Sequence, residues 1–368
     1  MKKEFDPSKP YTFKRTGKTI INRAVLAAIT NKQSHQNGTM SSNEMKWLLR
    51  RAEGGFGIIT TAAANVSKEG KGWEGEIGIY DDSHIEGLTE LTNRIHLTDS
   101  LIFAQIFHGG MRSPQRLTGV IPISPSKLEC NESISGKSSK ATTEDIERII
   151  QDFTNAAIRC YKSGFDGIEL HGAHGYLISQ FLGTKTNLRK DKWGGDLTGR
   201  ARFLTCIYTS IKKSVPEDFI IGVRISPEIS SIGINLNDTI DLVEKLRDLG
   251  LDFIHLSCWD VFSHSKLSRY KHKTLSEIII ENCKNPPTIM STGNIWSSLD
   301  ARKVLEQGAD LVGVARVGIS HPNWAKNLSR PNYNPNPPPF TSKYLRSVDL
   351  SDVFIDYMKN WEGFVNDD

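Results

Sequence analysis

Short, continuous apolar runs recur along the chain, and most are followed by a stretch whose apolar positions fall three or four residues apart. The runs read as strands covered on both faces, and the spaced stretches as amphipathic helices. The predicted strands are 20–30 (IINRAVLAAIT), 57–61, 101–107, 167–170, 219–225, 251–257, 287–291 and 310–315. Between them fall predicted helices. Ser42, three residues before Met45, opens the first, and 85–97 is the second. Thr143, three before Ile146, opens a long one to Ser163 with Glu144 and Asp145 in its first turn. Further helices are predicted over 201–215, 238–250, 274–283 and 297–308, and a short one starts at Pro322. Residues 111–141 read as a long loop.

Eight strand–helix units predict an α/β fold, a (β/α)8 TIM barrel. The competing doubly wound sheet lacks support, because no G-x-G-x-x-G follows any strand; Gly54-Gly55-x-Gly57 precedes one instead. The barrel is expected over 1–330. A linker over 331–340 (PNYNPNPPPF) is too rich in proline for helix or central strand, and 341–368 reads as a helical tail.

Composition narrows the classes. A chain of 368 residues is long enough for one large barrel. Its net charge of +4 is spread along the sequence, which argues against a nucleic-acid partner. Neither an 18-residue apolar run nor an apolar signal core in MKKEFDPSKPYTF is present, so no membrane partner is expected and the cytoplasm is the expected location. The five scattered cysteines suit reduced thiols and form neither a disulfide frame nor a metal cluster.

In a barrel, chemistry belongs on the loops at the carboxyl ends of the strands. Thr30, Gln105, His108, His171, His174, Tyr176, Arg224, Gly293 and Arg316 all fall there. The densest group is His171-Gly-Ala-His174-Gly-Tyr176, two imidazoles and a phenol closing the fourth strand. Singly each suits a packing role. Together, beside Gly172 and Gly175 where backbone can approach a ligand, they point to hydrogen-bond donation and proton transfer. A metal-dependent hydrolase with His171 and His174 as ligands is the alternative. It needs further ligands, and Glu169 is expected to point away along the strand.

A second motif follows in order: Asn187-x-Arg189-x-Asp191-x-Trp193-Gly194-Gly195-Asp196, then Gly199-Arg200-x-Arg202-Phe203. With HGAHGY it resembles the old yellow enzyme family of FMN-dependent ene-reductases, in its bacterial NADH:flavin oxidoreductase branch, over roughly residues 15–328. The resemblance implies non-covalent FMN at the carboxyl ends of the strands. Gln105 would read the pyrimidine edge, Arg224 would sit near N1 and O2, Thr30 would donate to O4, and Ala62 would line the flavin. Thr292-Gly293 and Ala315-Arg316 would hold the phosphate. His171 and His174 would hold the carbonyl oxygen of an α,β-unsaturated substrate while Tyr176 protonates its α carbon. NAD(P)H, without a domain of its own, would share that pocket with a small-molecule acceptor, an enone or a quinone, in a ping-pong scheme. A flavoprotein that binds FMN without reducing an enone remains compatible, and so does a homo-oligomer.

The chain departs from the family in places. Ala28 replaces a common proline, Lys32 an aromatic near the flavin, Thr61 an acidic residue, and Ala315 a glycine; 62–66 holds an extra residue. The closely spaced cysteines of the larger dienoyl-CoA reductases do not occur in it, and the single-domain kind is expected.

Overall fold

The computed structural model describes residues 5–367. Eight parallel strands close on themselves: β1 (Ala24–Leu26), β2 (Ile58–Thr60), β3 (Leu101–Phe107), β4 (Gly167–Gly172), β5 (Ile220–Ile225), β6 (Phe253–Ser257), β7 (Thr288–Thr292) and β8 (Leu311–Val314). Each pairs in parallel with its neighbour in sequence, and β8 pairs with β1 to complete the ring. The expected TIM barrel is therefore the fold. All eight predicted strands are present, the first much shorter than 20–30, so Thr30 lies beyond its strand on the first loop.

Parallel strands buried on both faces need apolar side chains outward, toward the helices, as well as inward. Val25, Ile58, Phe103, Ile220, Phe253, Met290 and Leu311 fill the lower interior. A hairpin of Tyr11–Thr12 and Thr19–Ile20 brings Phe13 into that layer, with ring centroids 6.1 Å from Phe103 and 6.4 Å from Phe253. The barrel floor is thus sealed by hydrocarbon, leaving the other end for chemistry.

The helices start close to where the sequence pattern puts them, with small shifts set by capping. Ser41, not Ser42, caps the first helix by accepting from the Glu44 amide, and Thr142, not Thr143, caps the long helix through a reciprocal pair with Asp145. The short helix after β8 begins at Arg316 rather than Pro322, and a single 3₁₀ turn follows at Ala325–Asn327. Within 111–141 lie a helical turn, Gln115–Thr118, and a parallel pair of two-residue strands, Ile123–Ser124 with Ser139–Lys140.

The C-terminal helices Ser342–Ser347 and Asp352–Met358 fold back onto the barrel. Phe354 meets Trp47 edge to face at 5.3 Å. The buried Arg51 donates to the carbonyls of Trp47, Gly318, Ile319 and Val348, joining the first helix, the β8 helix and the tail.

Candidate active site

Alternation along parallel strands stacks the inward side chains in layers. Two residues above the apolar floor, Phe103 gives way to Gln105, Gly167 to Glu169, Phe253 to His255 and Met290 to Thr292. These four form one hydrogen-bonded chain across the interior. Gln105 Nε2 donates to Glu169 Oε1 at 2.6 Å, and Glu169 Oε2 meets His255 Nδ1 at 2.6 Å. His255 Nε2 meets the Thr292 hydroxyl at 2.6 Å. A side chain at Gly313 would place its Cβ 1.9 Å from Thr292 Oγ1, so only glycine leaves room for that last bond.

Burial and Arg224 hold the His255 pKa below its ordinary value, so Nδ1–H donates to Glu169 and Nε2 accepts from Thr292. Burial alone would raise the Glu169 pKa; His255, Arg224 and Gln105 around it bring it below the usual carboxylate value. Glu169 therefore points inward, with His171, and not away from it. Two residues separate them, and a strand repeats every two.

One layer higher, register places His171 beside Arg224, which in turn lies beside His255. Arg224 is 5% exposed; its Nη1 donates to Ala28 O at 3.2 Å, and its Nε has no partner among the described residues. Burial lowers its pKa and the Glu169 charge opposes the shift.

His171, His174 and Tyr176 come together as expected. The His171 ring lies 5.0 Å from His174 and 4.8 Å from Tyr176, centroid to centroid. Burial, with His174 and Arg224 close by, holds the His171 pKa well below its ordinary value. His171 Nδ1 accepts from the Ala173 amide at 3.4 Å, which leaves the proton on Nε2. His174 adopts φ +60°, and its Nε2 meets Ser257 Oγ at 2.8 Å. One edge of this ring is open to solvent, yet dense packing together with Arg224, His255 and Arg112 keeps it well below its ordinary pKa. Both imidazoles are neutral at physiological pH.

Tyr176 stands against Phe107 at 5.0 Å and Trp73 at 6.4 Å, with the Arg112 guanidinium 5.3 Å from its ring centroid. Burial in this apolar wall pushes its pKa up to about 12, against the pull of Arg112. The phenol keeps its proton.

The remaining expected site residues surround the same end. Ala62 is buried just past β2, where its carbonyl accepts from the Thr61 hydroxyl at 2.8 Å. Thr30 lies on the β1 loop in a side-chain hydrogen bond with Tyr357. After β7, Gly293 has φ +150°, and a Cβ there would come 2.4 Å from Cys258 O. Ala315 and Arg316 open the β8 helix, and Arg316 Nη2 donates to Asn294 Oδ1 at 3.1 Å. His255, Arg112 and Tyr357 were not singled out from sequence. A parity count along β6 finds His255; the other two come from loop and tail placement that no spacing encodes.

The second sequence motif builds the frame. Arg189 donates to the carbonyls of Pro125 and Ala141 and pairs with Asp191, tying down the 111–141 loop. Asn187 Nδ2 bridges the carbonyls of Phe181 and Trp193, both at 2.8 Å. Among the described residues no group of three or more His, Cys, Asp or Glu side chains is placed to hold a metal ion. No helix among them is long and apolar enough to cross a membrane.

The barrel thus combines a sealed floor, a buried arginine beside a cluster of neutral donors, and glycine-bearing loops after β7 and β8. The comparisons supply the family. Residues 8–334 match the model of the NADH:flavin oxidoreductase / NADH oxidase family, and the chain belongs to it. A probable NADH-dependent flavin oxidoreductase of Bacillus subtilis is 36% identical over 324 residues, 86% of this chain and 85% of the relative. An NADPH dehydrogenase of Clostridium acetobutylicum is 32% identical over 360 residues, 97% of this chain and 98% of the relative. The solved old yellow enzyme homologue from Zymomonas mobilis superposes with a TM-score of 0.78 at 25% identity, covering 92% of this chain and 96% of that one. The protein is thus an oxidoreductase that uses FMN, with a nicotinamide nucleotide as its hydride donor.

Proposed function

We propose that the enzyme passes hydride from NAD(P)H to the β carbon of an α,β-unsaturated carbonyl compound, or to a quinone, in a ping-pong cycle. The observation that carries this reading is the trio at the end of β4: the neutral His171 ring lies 5.0 Å from the neutral His174 and 4.8 Å from the protonated Tyr176, centroid to centroid, with Arg224 beside His171 in register.

The residues present fit FMN. Arg224 keeps a buried Nε with no partner among the described residues, which suits a contact with the flavin's N1–O2 edge. Gln105 spends one Nε2 proton on Glu169 and retains its second proton and its carbonyl for the pyrimidine edge. Thr30 would face O4, and Ala62 would line the ring. Thr292-Gly293 and Ala315-Arg316 offer backbone amides and one guanidinium to the phosphate. Bound FMN supplies the two-electron hydride relay between donor and acceptor.

The protein's part is positioning and proton delivery. His171, with its proton on Nε2, donates to the substrate carbonyl oxygen. His174 joins it through Nδ1–H when Nε2 accepts from Ser257. Two donors on that oxygen stabilise the enolate formed when hydride reaches the β carbon. Tyr176 then delivers its proton to the α carbon. Neutral imidazoles suit this division, since an imidazolium would compete with Tyr176 as acid. The scattered free cysteines fit a reducing compartment, the cytoplasm.

The test is spectroscopic. The purified protein should be yellow, bleach anaerobically with NADH or NADPH, and recover its colour on addition of 2-cyclohexenone. Bleaching without recovery by any enone or quinone would leave a flavin reductase and overturn the acceptor chemistry.

A further inference from the structure

Two cations, Lys32 and Arg112, stand over tyrosine rings at the open end of the barrel. Lys32, on the β1 loop with φ +58°, holds its ammonium 5.1 Å from the ring centroid of Tyr357. Arg112, on the β3 loop, lies 5.3 Å from the Tyr176 centroid, and its Nη1 donates to the His174 carbonyl at 3.2 Å. Its Nε is buried without a partner among the described residues. Neither cation makes an ion pair among the described residues. Glu76 acts on Tyr176 electrostatically, and its Oε2 accepts from the amides of Gly72 at 2.7 Å and Trp73 at 3.1 Å. Burial pushes its pKa well above the usual range, against the pull of those two amides.

The two tyrosines fix where the cations stand. Tyr357 belongs to the helix Asp352–Met358, which is anchored by Phe354 on Trp47 and by the Ser351 hydroxyl on Gln33 Oε1 at 2.6 Å. Its hydroxyl shares a hydrogen bond with Thr30, and it lies close enough to Tyr176 to act on that phenol electrostatically. Lys32 and Arg112 therefore stand over two tyrosine rings that neighbour each other. The family match ends at residue 334, so Tyr357 is supplied by a segment outside it.

We propose that Lys32 and Arg112, each stacked on a tyrosine at the pocket mouth, form an anion subsite that takes a carboxylate on the acceptor, remote from the double bond being reduced. The inference rests on the placement of the acceptor carbonyl at His171 and His174. A carboxylate at the mouth would gain two charge-assisted contacts in a partly desolvated site, worth about 10- to 100-fold in affinity.

Redox-inert phenols test it on the FMN-loaded enzyme. Binding of 3-(4-hydroxyphenyl)propanoate and of its methyl ester would be measured by titration calorimetry for the wild type, Lys32→Met, Lys32→Arg and Arg112→Met. The acid should bind at least about tenfold more tightly than the ester in the wild type and in Lys32→Arg. Lys32→Met and Arg112→Met should each shrink that ratio toward one, as should raised ionic strength. Equal binding of acid and ester by the wild type overturns the subsite while leaving the histidine anchor standing. Failure of both phenols to bind removes the anchor and the subsite with it. Should the ratio persist in Lys32→Met while NADH binding weakens, the cations hold the donor's diphosphate and the proposal fails.

Discussion

A proton donor to carbon must keep its proton until the carbanion appears, and in the role proposed for Tyr176 an apolar wall would do this. Phe107 and Trp73 desolvate the phenol, which raises its pKa to about 12, and the neighbouring neutral imidazoles take no proton from it. Because the raised pKa favours the protonated form, the oxidative half-reaction should be flat in pH from about 6 to about 11, past the ordinary tyrosine value of about 10. Stopped-flow reoxidation by 2-cyclohexenone across that range checks it; a break near neutrality would implicate a different acid. Arg224 makes the companion case. In the proposed placement its charge would lie where the reduced cofactor gathers negative charge, so Arg224→Met should lower the two-electron potential and slow reduction by NADH. Potentiometry giving an equal or higher potential would remove Arg224 from N1. The trio at 171, 174 and 176 was legible because its residue types are costly to gather at one strand end for packing alone. Glu169 was misjudged by one step of parity, and that single step separates a stray carboxylate from the centre of the Gln105–Glu169–His255–Thr292 chain.

At the scale of elements, the strands were readable because each is a continuous apolar run with no competing periodicity. The helix starts moved by one residue where two adjacent hydroxyl residues compete for the cap, as at Ser41–Ser42 and Thr142–Thr143. The helix after β8 is only five residues long, too short to carry a periodic signal, and its predicted start at Pro322 missed it. The 111–141 loop owes its shape to contacts from a distant motif rather than to its own sequence. Arg189→Ala would strip donors from the carbonyls of Pro125 and Ala141 and leave them buried, at a cost of roughly 1–3 kcal/mol each. Faster amide exchange and proteolysis confined to that loop are the expected outcome, read by mass spectrometry. Unchanged protection there would assign the loop's order to its own short strands.

Across the whole molecule, the hairpin bearing Phe13 closes one end of the barrel and the tail helices wrap toward the other. The fold class was legible from eight alternating units. The docking of the tail was not, because its partners Trp47, Arg51 and Gln33 lie about three hundred residues away in sequence and nothing local marks them. Tyr357 reaches the site only through that docking. The floor excludes solvent from below, and in the proposed ping-pong cycle donor and acceptor share the open end, which gives two half-reactions that one mutation can separate. Tyr176→Phe should leave reduction by NADH nearly unchanged and slow reoxidation by 2-cyclohexenone roughly 10²- to 10⁴-fold, with quinones much less affected. Anaerobic stopped-flow traces of the two half-reactions decide it. Equal slowing of both, or of neither, would contradict the account and make Tyr176 a packing residue.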